Sequence, residues 1–146
     1  MIKKTFGTFA LCLTVLCFSG CKEVRDEKKA YPITGKILVD GKPVEGLQIQ
    51  LHDKSGVDTS KPTFPTASTD AAGNLKVSTY AEGDGAPEGE YTLTVEWKDF
   101  NVVSRSYSGP DKLNKKYSDP KKSSVQLSVG PGKSNDLGTA ELTTKK

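Results

Sequence analysis

The sequence predicts an all-β chain: a single β-sandwich of about seven strands preceded by an N-terminal signal peptide. Three observations carry this. Apolar and polar residues alternate with period two in short runs, spaced roughly 8–12 residues apart. Turn residues separate the runs, from a total of 14 glycines and 8 prolines in 146 residues. No segment beyond the leader repeats apolar positions at the three- and four-residue spacing of an amphipathic helix.

The leader comes first. Met1-Ile2-Lys3-Lys4 is short and basic, Thr5 to Phe18 carries no charge, and Ser19 and Gly20 are small residues just before Cys21. That is the order of a bacterial secretory signal: basic region, apolar region, small-residue cleavage site. Leu16-Cys17-Phe18-Ser19-Gly20-Cys21 resembles a lipoprotein signal, with Phe18 where Leu is more usual. The resemblance implies that Cys21 receives lipid on its sulfur and becomes the new N-terminus. Plain secretion and a retained helix stay open as alternatives, although the run is shorter than the roughly 20 apolar residues of a spanning helix. A free thiol at Cys21 would be a liability in an oxidising compartment, which favours the lipid. Residues 1–20 are therefore read as signal, and Cys21 as the anchor to a membrane on the extracytoplasmic side of the cell envelope. All three cysteines lie at or before Cys21, which leaves the mature domain without a disulfide.

Residues 21–30 continue as KEVRDEKKA after the cysteine, too charged to pack, and are read as a tether. The domain is placed at 31–146. Ile33, Gly35, Ile37 and Val39 share one face of a first strand, and Asp40-Gly41 follows as a hairpin turn because both positions tolerate positive φ. Leu47, Ile49 and Leu51 face one way, with Gln48, Gln50 and His52 opposite. Asp53 to Pro65 reads as a loop. Ala67 to Thr69 reads as a short edge strand, Asp70 to Asn74 as a turn, and Leu75, Val77 and Thr79 as the next strand. Gly83 to Gly89 is a turn cluster. Tyr91, Leu93, Val95 and Trp97 then alternate with Thr92, Thr94, Glu96 and Lys98, the pattern of a central strand. Val102 to Tyr107 is a weaker strand. Ser108 to Tyr117 accommodates one helical turn, with Ser108 as cap and Pro110 early in it. Val125, Leu127 and Val129 form another strand, and Ala140 and Leu142 lie on the last.

The inward residues of these strands, from Ile33 to Leu142, number enough for one core at roughly 1.5–3 kcal/mol per large apolar side chain buried. The formal charge of +3 falls to +1 once Lys3 and Lys4 leave with the signal. That is too little for a nucleic-acid surface, which needs concentrated positive charge. The pairs Lys115-Lys116, Lys121-Lys122 and Lys145-Lys146 read as solvated surface.

Gly35 to Gly46 (GKILVDGKPVEG), Thr69 to Leu75 (TDAAGNL) and Gly89 to Val95 (GEYTLTV) together resemble a carboxypeptidase regulatory-like domain. The resemblance covers most of Thr34 to Leu142. It implies a transthyretin-like, immunoglobulin-like sandwich, and Thr79-Tyr80 with Gly83 to Pro87 and Asp111 to Tyr117 look like a bacterial lipoprotein branch. It implies no catalysis, since such domains are generally non-catalytic. The matching motifs are turns and strand entries, which predict architecture and not activity.

Residue chemistry points the same way. His52 is the single histidine and faces solvent by alternation, which leaves no basis for a nucleophilic triad or a zinc site. Asp70, Asn74, Asp84 and Glu88 could converge as calcium ligands, but read more simply as turn residues. Glu90 and Glu96 lie on one face of one strand and do not straddle a cleft as a glycosidase pair must. Lys36, Asn135 or Asp136, and Glu96 are the residues an internal isopeptide cross-link would need, with Lys36 out of phase with the core. No cofactor, metal or catalytic residue is expected. Trp97 is expected in the core, whereas Tyr80, Phe100, Tyr107 and Tyr117 flank strand ends and are the candidate ligand surface. The expected partners are the membrane, through Cys21, and an envelope protein or polysaccharide. The expected role is a non-catalytic binding or structural module, with a carbohydrate- or wall-binding accessory protein as the alternative.

Overall fold

A computed structural model describes residues 27–145. The signal, Cys21 and the first part of the tether lie outside the described residues. The described chain is an all-β sandwich.

Among the described residues, twelve strands run in the order β1 (Ala30–Tyr31), β2 (Thr34–Val39), β3 (Lys42–Pro43), β4 (Gln48–Asp53), β5 (Thr66–Thr69) and β6 (Leu75–Ser78), then β7 (Ala86–Pro87), β8 (Gly89–Glu96), β9 (Asp99–Asn101), β10 (Ser106–Ser108), β11 (Gln126–Val129) and β12 (Asp136–Leu142). Five of them form an antiparallel sheet in the order β11-β8-β4-β5-β6. A three-stranded sheet, β12-β2-β3, faces it, with β12 parallel to β2. Two short ribbons, β1 with β7 and β9 with β10, complete the pairing.

The core fills the space between the two large sheets. Ile37, Val39 and Leu142 meet Ile49, Leu51, Val77, Leu93, Val95, Leu127 and Val129, all with at most 6 % of their surface exposed. These are the inward positions of the alternating runs, because a strand turns successive side chains to opposite faces. The Asp40-Gly41 turn forms as expected, with φ of 49° and 75° joining β2 to β3. The 70–74 turn is closed by the Asp70 carboxylate, which accepts from the backbone N–H groups of Ala72 (2.9 Å) and Asn74 (2.8 Å).

Four expectations are corrected. The strand at Thr66–Thr69 is interior, between β4 and β6, and the edge falls to β6. Val102 to Tyr107 is not one strand: Val102 to Arg105 make the tight end of the β9–β10 hairpin, closed by Asn101 Oδ1 on the N–H groups of Val103 (2.9 Å) and Ser104 (3.1 Å). Ser108 to Tyr117 holds consecutive turns and no helix, and the capping carboxylate is Asp111, not Ser108. The folded part also begins before Tyr31. Ala30 pairs with Pro87, Lys28 N–H donates to the Tyr80 hydroxyl (3.1 Å), and the Lys28 ammonium pairs with Asp58 (2.8 Å). That ammonium holds the Asp58 carboxyl well below the usual carboxylate range.

The β1–β7 ribbon requires a glycine beside it. Gly85 has φ of 91°, and a Cβ there would lie 1.8 Å from the Tyr31 carbonyl oxygen. Nearby, the Tyr91 hydroxyl donates to the Pro87 carbonyl (2.9 Å). Burial pushes its pKa up to about 12.

Candidate functional site

Register across β5, β4 and β8 places polar side chains in rows on the outer face of the five-stranded sheet. Ser68 is opposite Gln48, which is opposite Glu96; Thr66 is opposite Gln50, which is opposite Thr94. His52 stands next on β4, with its Nε2 3.0 Å from Thr94 Oγ1. These are the residues that alternation turns away from the core, yet Thr92 and Thr94 are each only 7 % exposed. The surface over them is therefore partly covered, which the sequence reading of a solvent-facing row did not include.

Part of the cover is the β9–β10 hairpin. β8 ends beside Gln48, and three residues later the chain turns into β9 and comes back over the sheet. Tyr107 of β10 and Ser118 overhang the rows and bound a groove of about 430 Å³, floored by Gln48, Gln50, Thr66, Ser68, Thr94 and Glu96. Phe100 sits directly across the ribbon from Tyr107, with ring centroids 5.1 Å apart in an edge-to-face contact at 62°. Lys112 pins the base of the hairpin: its ammonium pairs with Asp99 and lies 5.0 Å over the Trp97 ring. At the hairpin end Val102 and Val103 are 77 % and 97 % exposed.

The groove is nearly neutral. Glu96 is its one carboxylate, and Lys98 Nζ lies 2.6 Å from it. Gln48 Nε2 is buried and finds no acceptor among the described residues. A buried donor left without an acceptor costs about 1–3 kcal/mol, so a native fold rarely keeps one.

Of the four aromatic residues expected to form a ligand surface, the structure brings two together. Phe100 and Tyr107 share the hairpin. Tyr80 lies toward the opposite end of the sheet, where its hydroxyl accepts from Lys28. Tyr117 is 8 % exposed, its hydroxyl accepting from the Thr143 N–H (3.1 Å), and so belongs to the core and not to an exposed patch. Trp97 is half-buried at the core margin and not fully inside it.

The proposed oxygen ligands do not converge. Asp70 and Asn74 occupy the turn at the Leu75 end of β6 and bond each other (2.9 Å). Asp84 occupies the turn beyond Ser78, at the other end, and accepts from the N–H groups of Thr79 (2.7 Å), Tyr80 (2.9 Å) and Ala81 (3.0 Å). Among the described residues no three His, Cys, Asp or Glu side chains stand close enough to hold a metal ion. Lys36 and Glu96 lie on different sheets, and Asn135 spends its side-chain oxygen on the Gly130 N–H (2.9 Å), so the cross-link geometry is not assembled.

Of the residues lining the groove, His52 and Glu96 were weighed from sequence, each for another chemistry, and Tyr107 as part of a ligand surface; the row of Gln48, Gln50, Thr66, Ser68 and Thr94 was not singled out. The available signal was chemical: in a chain that is 27 % charged, Gln48, Gln50 and His52 on β4 and Thr92 and Thr94 on β8 make a run of uncharged polar residues on outward positions.

No family model matches the chain, and no curated protein does. A crystal structure of a 9R-lipoxygenase from Cyanothece PCC8801 is similar over 78 % of this chain at 17 % identity, with a TM-score of 0.38. The match spans 16 % of that much longer protein, and a likeness of this size carries no argument about fold or function.

Proposed function

We propose that this chain is a non-catalytic, lipid-anchored lipoprotein of the cell envelope, of carboxypeptidase regulatory-like type, that works as a binding module on the extracytoplasmic side. The observation that carries the binding reading is the β9–β10 hairpin. It presents Phe100, Val102, Val103 and Tyr107 together, and the core needs none of them. An apolar cluster that the fold leaves uncovered is a contact surface. The leader supports the anchor: diacylation at Cys21 supplies two chains, which is what stable anchoring takes.

The placement of the hairpin favours a partner in the envelope space. Lys28 joins the fold at the Asp53 end of the large sheet, by its contact with Asp58, whereas the hairpin leaves from the Gln48 end. Cys21 is seven residues before Lys28, a reach of at most about 25 Å when extended. A membrane held at that end leaves the hairpin facing away from it. The alternative, a carbohydrate- or wall-binding accessory protein, is favoured by the neutral polar groove beside Tyr107.

The test is cross-linking in intact cells expressing a tagged chain, with labelled palmitate to report the anchor. Wild type should incorporate label and recover one dominant envelope protein. Cys21→Ala should lose the label and the membrane fraction. Val103→Asp should keep the anchor and lose the partner. A Cys21→Ala protein that stays membrane-bound at unchanged mass refutes the anchor. Equal recovery with Val103→Asp refutes the hairpin as the contact.

A further inference from the structure

We propose that the groove between Tyr107 and the outer face of the five-stranded sheet binds a neutral, hydroxyl-rich ligand, namely a segment of a saccharide chain. This rests on the binding-module reading and names the ligand of its groove.

Four features of the site converge. The floor offers amides and hydroxyls, each of which both donates and accepts, in rows set by the strand spacing of about 4.8 Å. A sugar's hydroxyls, themselves donors and acceptors, match such rows, whereas a peptide backbone seeks an unpaired strand edge, and β4 and β8 have both edges occupied. The charge is balanced, because Lys98 pairs with Glu96 at 2.6 Å. A phosphate or carboxylate ligand would need unmatched cations in the groove, and no Lys or Arg lines it. Gln48 lines the groove with its Nε2 buried and without an acceptor, so a turn of this amide toward the groove would gain a ligand oxygen at no loss of an existing bond. Finally, the Tyr107 ring, 41 % exposed and braced edge-on by Phe100, gives the apolar C–H face of a pyranose a surface to lie against. The volume of about 430 Å³ falls within the roughly 300–1,000 Å³ of small-molecule sites.

The experiment is an NMR titration of the purified full chain with four neutral hexasaccharides: cellohexaose, chitohexaose, xylohexaose and maltohexaose. The signals read are the side-chain amides of Gln48 and Gln50. At least one hexasaccharide should shift them saturably. Tyr107→Ala should weaken that binding at least about tenfold, and Tyr107→Phe, which keeps the ring, by less than about threefold. Gln48→Leu should weaken it too, and Tyr80→Ala, at the far end, should not. Retained amide dispersion checks that each variant folds. Tyr107→Phe and Gln48→Leu decide the matter if Tyr107→Ala disorders the hairpin. Absence of a saturable shift with all four sugars at about 10 mM overturns the inference, as does binding that Tyr107→Ala and Gln48→Leu leave unchanged. The cross-linking result with Val103→Asp is read independently. A sugar failure beside a retained protein partner removes the saccharide alone, and failure of both removes the binding module.

Discussion

Asp111 ties the end of the central strand to the turns that close the sandwich, and its removal gives a sharp test of how that end is held. One carboxylate, 8 % exposed, accepts three backbone N–H groups: Trp97 at 2.8 Å and Leu113 at 3.1 Å on one oxygen, Lys115 at 2.9 Å on the other. The turn so fixed carries Leu113, fully buried, and leads to Tyr117, nearly so. At a net value of about 1 kcal/mol per bond, Asp111→Ala should cost about 3 kcal/mol. That is a large part of the 5–15 kcal/mol typical of a domain, and lowers the melting temperature by about 10 °C. Asp111→Asn keeps one acceptor oxygen and turns an NH2 toward a donor, so it should recover no more than about half of the loss. Urea unfolding followed by far-ultraviolet circular dichroism measures both, with the fluorescence of Trp97, the single tryptophan, as a local probe. A cost below about 1 kcal/mol for Asp111→Ala would refute the claim that this carboxylate holds the turn against the core.

Gly85→Ala should detach β1, since its new methyl meets the Tyr31 carbonyl; amide exchange at Tyr31 should rise sharply while the β4 and β8 amides stay protected. Asp40 is held below its ordinary pKa of 3.8, first by the Thr144 hydroxyl and then by that of Thr143. Its contribution is therefore present in full above pH 3.8 and is lost as pH falls through the lower folded value, so the stability gap between wild type and Asp40→Asn should close on acidification in urea titrations. Tyr91 gives the opposite sign. Its folded pKa is raised from 10.0 to about 12, so its contribution is complete below pH 10.0 and is lost as pH rises through about 12. Tyr91→Phe should flatten the stability profile over that range and cost about 1 kcal/mol at neutral pH for the bond to Pro87.

The strands were legible where one face carries the core. Leu47, Ile49 and Leu51, or Tyr91, Leu93 and Val95, announce a buried face and a period of two at once. What alternation lacks is position within a sheet. Ala67 to Thr69 reads as an edge because the run is short and its residues are small, but β6 returns through the Asp70–Asn74 turn and covers it. Val102 to Tyr107 failed for a local reason: the Asn101 side chain caps a turn, and Arg105 takes φ of 49°, which interrupts an extended run. Tyr117 failed for a distant one, since its partner is the backbone of Thr143, far along the chain. The groove has the same character. Ser68, Gln48 and Glu96 become neighbours only through the register of three strands, which no local pattern carries. The hairpin pair was half legible, because Phe100 and Tyr107 stand among turn-forming and polar residues and so could be read as exposed.

The strand that completes the small sheet, β12, comes last in chain order among the described strands. β12 lies parallel to β2 from Asp136 opposite Thr34 to Leu142 opposite Val39, and the Thr144 N–H reaches Asp40 across 104 residues. Pairings of such sequence separation form slowly, because loop closure precedes any gain from the contact. A polypeptide delivered N-terminus first, at about 5–20 residues per second from a ribosome, cannot finish its core until Leu142 has emerged. The same wiring makes β12 and the Thr143-Thr144 clasp on Asp40 a single unit with β2, so that loss of either loosens the turn that starts the fold.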